Sequence, residues 1–217
     1  MKWSLKREIF PFTILLIMAC VSIYYYPSLP DKVPIHFDVK SNINGWAEKN
    51  IFFLTQFGIM LGSYFLITFI PFIDPFRKKI ESKYGLLLLF RDIIIGFFGF
   101  IFGIGILAAF EGSIRQDLLG VGLGLLLFLT GNYMPKLPRN CFFGIKTPWT
   151  LSSEVIWRKT HIVGGWLFAV SGAVIVVLSL LKVPLIVTLF VLLPAILVSG
   201  LLYPLYLFKK LQKTNEL

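Results

Sequence analysis

From Tyr84 to Phe110 the chain reads YGLLLLFRDIIIGFFGFIFGIGILAAF, with Arg91 and Asp92 as its only charged residues. About 20 apolar residues carry a helix across ~30 Å of hydrocarbon at 1.5 Å per residue. Lipid offers no partner to an open backbone, so a crossing stretch of this kind must be helical. The alternation that marks a barrel strand is absent. Five more apolar stretches surround it, at about Phe10–Tyr26, Ile51–Ile73, Leu118–Met134, Ile162–Leu181 and Val183–Phe208. Together they predict an all-α integral membrane protein, a bundle of six transmembrane helices.

Composition agrees. Of 217 residues, 57% are hydrophobic and 15% charged, against about 45–50% and about 25% in soluble domains. The 22 Phe residues suit lipid-facing surfaces and interfacial belts. The net charge of +10 would suggest nucleic acid in a soluble chain. Here the cations fall between apolar runs and act as topology signals and anionic-lipid contacts, and no nucleic-acid-binding module accompanies them.

Placing both termini in the cytoplasm puts Lys2, Lys6, Arg7, Arg77, Lys78, Lys79, Lys83, Lys136, Arg139, Lys146, Arg158, Lys159, Lys209, Lys210 and Lys213 inside. Only Lys32, Lys40, Lys49, Arg115 and Lys182 then lie outside. This is a clear positive-inside bias. The sequence divides into 1–83, with two crossings and an outer loop 27–50, and 84–217, with four crossings and a cytoplasmic loop 135–161. Neither Cys20 nor Cys141 sits in a ligand or disulfide framework. Ile17-Met18-Ala19-Cys20 loosely resembles a lipoprotein cleavage box, although Met18 fits poorly and apolar residues follow.

Two loops carry more than a connector needs. In the outer one, Pro27, Pro30 and Pro34 stiffen the start, Ile35-His36-Phe37 is extended in character, and Asn44-Gly45 signals a turn before Trp46. The segment reads either as a small hairpin on the membrane surface or as a rigid connector anchored by Trp46. No second His or Cys joins His36 to make a metal site. In the inner loop, Pro135 and Pro138 end the fourth helix, and Asn140–Gly144 suits a turn dipping into the interface. Thr147-Pro148-Trp149-Thr150 reads as a further turn. Ser152 or Ser153 can cap a helix beginning near Glu154 that runs on into the membrane, with Trp157 at headgroup depth. This mixture suits lipid headgroups or a protein partner. His161 lacks a nucleophile and acid at recognisable spacing, and HExxH, phosphate-loop and Gly-x-Ser-x-Gly motifs are missing.

Arg91 and Asp92 allow two readings. Either Tyr84–Phe90 lies in the interface and the crossing starts at Ile93, or the two charges face the bundle interior near the loop bearing His161. As neighbours on a helix, pointing about 100° apart, they need not pair with each other. Gly99-x-x-x-Gly103 and Gly120-x-x-x-Gly124 predict close helix contacts. Pro194 and Pro204 predict kinks in the last helix.

At the two loops the sequence resembles a known family. Asn132-Tyr133-Met134-Pro135-Lys136, Asn140, Gly144-Ile145-Lys146-Thr147-Pro148-Trp149-Thr150-Leu151 and Trp157-Arg158-Lys159-Thr160-His161 look like the signature of the SdpI family. These are integral-membrane immunity proteins of Gram-positive bacteria. Pro30, Pro34-Ile35-His36-Phe37 and Gly45-Trp46 resemble the uncharacterised N-terminal domain often fused to that signature. Lys146 stands where an Arg is common, which changes hydrogen-bond geometry but not charge. The resemblance implies protection of the producing cell from a secreted membrane-active peptide. It also implies a role for some members in holding a small transcriptional repressor at the membrane. The outer loop would meet the toxin, and the inner loop from Lys136 to His161 would carry immunity and repressor docking. The resemblance implies no cofactor and no direct nucleic-acid contact. A small exporter and an intramembrane enzyme using His161 or His36 are the competing classes. The spans offer an exporter little polar path, and in this topology the two histidines lie on opposite faces and cannot share a site.

Overall fold

The computed structural model describes residues 4–38 and 42–214. Lys2 and Lys40 of the charge tally lie outside them. The chain is mainly helical, with one hairpin between its first two long helices. Helix α1 is Ile9–Tyr25; strands β1 (Lys32–Phe37) and β2 (Ile43–Glu48) follow; α2 is Lys49–Phe69 and tightens into a 3-10 turn at Ile70–Phe72. A short α3 (Arg77–Glu81) leads to α4 (Tyr84–Glu111) and α5 (Gln116–Tyr133). After α6 (Pro148–Ser152) come α7 (Glu154–Leu180) and a last, broken helix: α8 (Leu185–Leu189), α9 (Leu192–Leu197), a π turn at Val198–Leu202 and α10 (Tyr203–Lys213).

Among the described residues five helical segments are long and apolar enough to cross a membrane: 49–72, 84–111, 116–136, 154–180 and 185–213. The expected sixth crossing, α1, is shorter at 17 residues, so the six-helix count rests on it alone. The fold also departs from purely all-α. The segment between α1 and α2 forms an antiparallel hairpin pairing Lys32 with Glu48 and Pro34 with Trp46. Asn44-Gly45 is not its turn: both residues lie within β2, and the chain reverses between Asp38 and Asn42, whose backbones bond at 2.9 Å. Gly45 is instead needed for close approach, because a Cβ there would stand 2.8 Å from the Cβ of His36.

The last helix breaks at Phe190–Val191, one turn before Pro194, which has no N–H to donate to the Phe190 carbonyl, and the π turn precedes Pro204. The tightest packing joins α5 to α7, which run antiparallel with backbones nearly touching. A Cβ on Gly124 would lie 2.7 Å from the carbonyl oxygen of Gly172, and one on Gly172 would lie 2.5 Å from that of Gly124. Gly131 and Gly165 repeat this reciprocal contact one heptad along, each 2.7 Å from the other's carbonyl. Gly120 closes against Ser179 in the same register. The expected α4 pair behaves differently: Gly99 abuts Ile14 at 2.8 Å, whereas Gly103 has open space.

A side chain cannot enter the α5–α7 seam without parting two backbones. Gly124→Leu is expected to cost about 3 kcal/mol, while Gly103→Ala is expected to be neutral or slightly stabilising through helix propensity. Thermal unfolding of the detergent-solubilised proteins compares the two.

Candidate functional site

The two segments singled out by sequence lie at opposite ends of the bundle. The hairpin faces the start of α5 and α8, and it shares with them a cleft of about 300 Å³ lined by Ile35, Phe37, Leu119, Leu185 and Leu189. At the other end, loop 135–161 packs under the turn after α2. There Asp74 Oδ2 accepts the Cys141 N–H at 2.8 Å and its Oδ1 accepts the Phe76 N–H at 2.7 Å.

Loop 135–161 is a compact polar-cored plug. Asn140 is fully buried and fastens a turn from within. Its Oδ1 accepts the N–H groups of Phe142 and Phe143 at 2.9 and 2.6 Å, and its Nδ2 donates to the carbonyls of Pro138 and Phe143 at 2.9 and 3.1 Å. Gly144 has φ +98°, and a Cβ there would meet His161 Nε2 at 2.3 Å, so glycine is required on two counts. The next amide, Ile145 N–H, donates to that Nε2 at 3.0 Å, while His161 Nδ1 lies 2.7 Å from the Trp157 carbonyl. Nε2 must accept and Nδ1 must donate, so the ring is the neutral Nδ1-protonated tautomer. It also stacks on Trp157 with centroids 3.9 Å apart. Both nitrogens are engaged by the backbone, which makes His161 a clamp between the loop and α7.

Thr147-Pro148-Trp149-Thr150 is helical, not a plain turn. Thr147 and Thr150 form a reciprocal capping box, Pro148 opens α6, and Thr150 Oγ1 donates to the Ile145 carbonyl at 2.8 Å. Trp149 packs against Ile156, Leu207 and Leu211, joining the loop to α10. As expected, α7 starts at Glu154 after Ser153 and runs unbroken to Leu180, though Ser153 makes no side-chain cap bond. Trp157 faces protein, whatever its depth in the membrane. It is buried, with Nε1 donating to the Leu137 carbonyl at 2.9 Å. Pro135 packs where a Gly165 side chain would stand.

The remaining motif residues divide by exposure. Thr160 is buried, and among the described residues its hydroxyl has no hydrogen-bond partner. Asn132 is spent on the Phe128 carbonyl of its own helix. Lys136 lies over the Tyr133 ring, and Lys146 donates to the Phe142 carbonyl at 2.9 Å. Lys136, Lys146, Pro148 and Lys159 are exposed. On the hairpin, Pro34 is buried, Phe37 is half-buried, and Pro30, His36 and Trp46 are exposed; His36 Nδ1 meets Asn44 Oδ1. Among the described residues no group of three His, Cys, Asp or Glu converges to hold a metal.

Arg91 faces the bundle interior. Helix α4 is continuous from Tyr84, and Arg91 is completely buried. Nη1 donates to Glu8 Oε2 at 2.8 Å and Thr68 Oγ1 at 3.2 Å, and Nη2 to the Arg7 carbonyl at 2.6 Å. Nε donates to Asp92 Oδ1 at 3.0 Å, so the neighbours do pair. The Tyr64 ring covers the guanidinium, and its hydroxyl donates to Glu8 at 2.9 Å. All these partners except Asp92 belong to α2 and the entry to α1, not to the loop bearing His161. Sequence reasoning missed Glu8, an acid hidden among N-terminal cations. It also missed Asp74, although Asp74-Pro75 is a turn signal.

Two outcomes test this geometry. Glu8→Ala leaves a buried guanidinium short of its counter-charge and is expected to cost about 3–5 kcal/mol in unfolding free energy. Asp74→Ala removes the anchor of Cys141. In a Cys20→Ser background it is expected to speed Cys141 alkylation about tenfold, the effect of losing a charged hydrogen bond of ~1.5 kcal/mol.

Comparison with known proteins assigns this arrangement. The model of the SdpI/YfhL protein family matches residues 136–206, and that of a domain of unknown function, DUF1648, matches residues 13–61. The chain is 24% identical to Immunity protein SdpI of Bacillus subtilis (strain 168) over 176 residues, covering 81% of this chain and 82% of that protein. No solved structure matches it. This is a multi-pass membrane protein whose segment 136–206, with the buried Asn140–His161 clamp, is similar to the SdpI/YfhL family and follows a segment similar to DUF1648.

Proposed function

We propose that this protein is a membrane immunity protein, protecting its cell from a secreted membrane-active peptide. The supporting observation is similarity to Immunity protein SdpI across four-fifths of both chains. In this reading six helices cross the cell membrane of a Gram-positive bacterium with both termini in the cytoplasm. The exposed face of the hairpin, with Ile35, His36 and Trp46, meets the peptide outside. The exposed cations of loop 135–161 act inside, on lipid headgroups or on a small repressor held at the membrane.

The physical link is the α5–α7 pair. At the hairpin end α5 meets α8, where Leu185 N–H donates to Gln116 Oε1 at 3.2 Å; at the other end α5 runs on to Pro135, which packs against Gly165 of α7, and α7 carries His161. A seam of touching backbones moves as one body. A peptide that favours one setting of α5 and α8 against the hairpin then shifts the loop by the same free energy.

Expression in a strain sensitive to the peptide is expected to raise survival. Lys146→Ala and Trp149→Ala are expected to abolish protection at unchanged membrane levels. Cysteines placed at Trp46 and Lys146 should react with an impermeant maleimide from opposite sides. Labelling of both from the medium would contradict the topology, and full protection by the Lys146 and Trp149 variants would move the function away from the loop.

A further inference from the structure

Between α4 and α5 the bundle carries a second feature. A cleft of about 560 Å³ opens between α4 and α5 with Phe10 of α1 at its edge. It extends from Leu89 to Phe100 on α4 and from Tyr133 back to Gly122 on α5, about 16 Å of helix on each side. Two glycines give it room. Gly96 lines it, with Phe10 as the nearest neighbour its Cβ would meet, at 3.4 Å; Gly122 lies under Phe100. Its lining is apolar except at one end, where Asp92 and the Tyr133 phenol enter.

Asp92 is out of place there unless something meets it. Arg91 divides a single positive charge between two carboxylates. Glu8 is 2% exposed and takes the Nη1 bond; Asp92 receives only Nε, on Oδ1, and its side chain is 23% exposed, toward the cleft. Among the described residues no hydrogen bond reaches Oδ2. A carboxylate oxygen facing hydrocarbon is costly, and a cation from the bilayer is the natural remedy. One turn beyond Tyr133 lies Lys136, with Nζ 5.1 Å from the Tyr133 ring centroid. The cleft therefore offers an apolar channel with a carboxylate and a phenol at one end, and Lys136 stands just outside its lining.

We propose that this cleft is a specific site for one phospholipid with a primary-amine headgroup, of the phosphatidylethanolamine type. The headgroup lies across the polar end of the cleft, its ammonium on Asp92 Oδ2 and its phosphate accepting from the Tyr133 hydroxyl, and one acyl chain follows the apolar lining past Leu129 and Leu126. A primary ammonium donates hydrogen bonds to a carboxylate. The quaternary ammonium of phosphatidylcholine cannot, and phosphatidylglycerol brings no cation at all.

The test is native mass spectrometry of the full chain, purified in detergent and offered phosphatidylethanolamine, phosphatidylcholine or phosphatidylglycerol of matched acyl length. One retained phosphatidylethanolamine per chain is expected, with affinity about tenfold above the other two, the effect of one charge-assisted hydrogen bond. Asp92→Asn is expected to erase that preference, and Gly96→Leu to lower retention of all three lipids by filling the channel. Equal retention of the three lipids by the unmodified protein would show annular lipid only and overturn the proposal. So would a preference for phosphatidylglycerol, or an Asp92→Asn protein that keeps the preference. The comparison among lipids needs no variant, so it stands even if a substitution impairs folding.

Discussion

The α5–α7 seam is the constraint on which the rest of this bundle rests. In lipid, helices gain little from hiding apolar surface, because the solvent is as apolar as the side chains. Association must come from close van der Waals contact, and that demands small residues where the helices cross. The reciprocal pairs Gly124–Gly172 and Gly131–Gly165, with Gly120 against Ser179, provide it over the length of both helices. The spacing keeps the contacts on one face of each helix while the two run antiparallel. The seam also sets Pro135 against Gly165 and brings Trp157 under Leu137, so the geometry of the loop end follows from it.

The second half of the fold is joined to the first by a different device. Arg91 reaches from α4 into the region between α1 and α2, where Glu8, Thr68 and the Arg7 carbonyl receive it. A buried guanidinium is expensive in any apolar medium, and its cost is offset only where several of its donors are satisfied together. The arrangement therefore selects one docking of α1 and α2 against α4. Slipping either helix by a turn would leave a charge without its partner.

The ends of the bundle follow opposite design rules. The hairpin satisfies its backbone through β pairing and leaves Ile35 and Trp46 exposed. Loop 135–161 has no strand among its residues, so its backbone is satisfied by side chains: Asp74 for Cys141, Asn140 for Phe142 and Phe143, and His161 for Ile145. Its buried polar residues are consumed by architecture, while Lys136, Lys146, Pro148 and Lys159 stay exposed. Both His161 ring nitrogens are held by the backbone, so a motif histidine need not carry chemistry.

What the sequence settled by itself was whatever depends on local composition. Apolar length marked the long helices within a few residues, because burying a peptide group in lipid leaves helix as the only local solution. The start of α7 at Glu154, the breaks near Pro194 and Pro204 and the loop motif were legible for the same local reason. Asn44-Gly45 misled, since the hairpin's bulged register placed a turn-forming pair inside a strand. Tertiary structure alone decided which glycines meet, so that Gly103 faces open space while Gly131 touches a backbone. It alone decided that Glu8 answers Arg91 across 83 residues and that Asp74 holds Cys141 across 67. Such pairings depend on how helices dock in three dimensions. Burial of a charge or an amide is a property of that docking, and no single stretch of sequence encodes it.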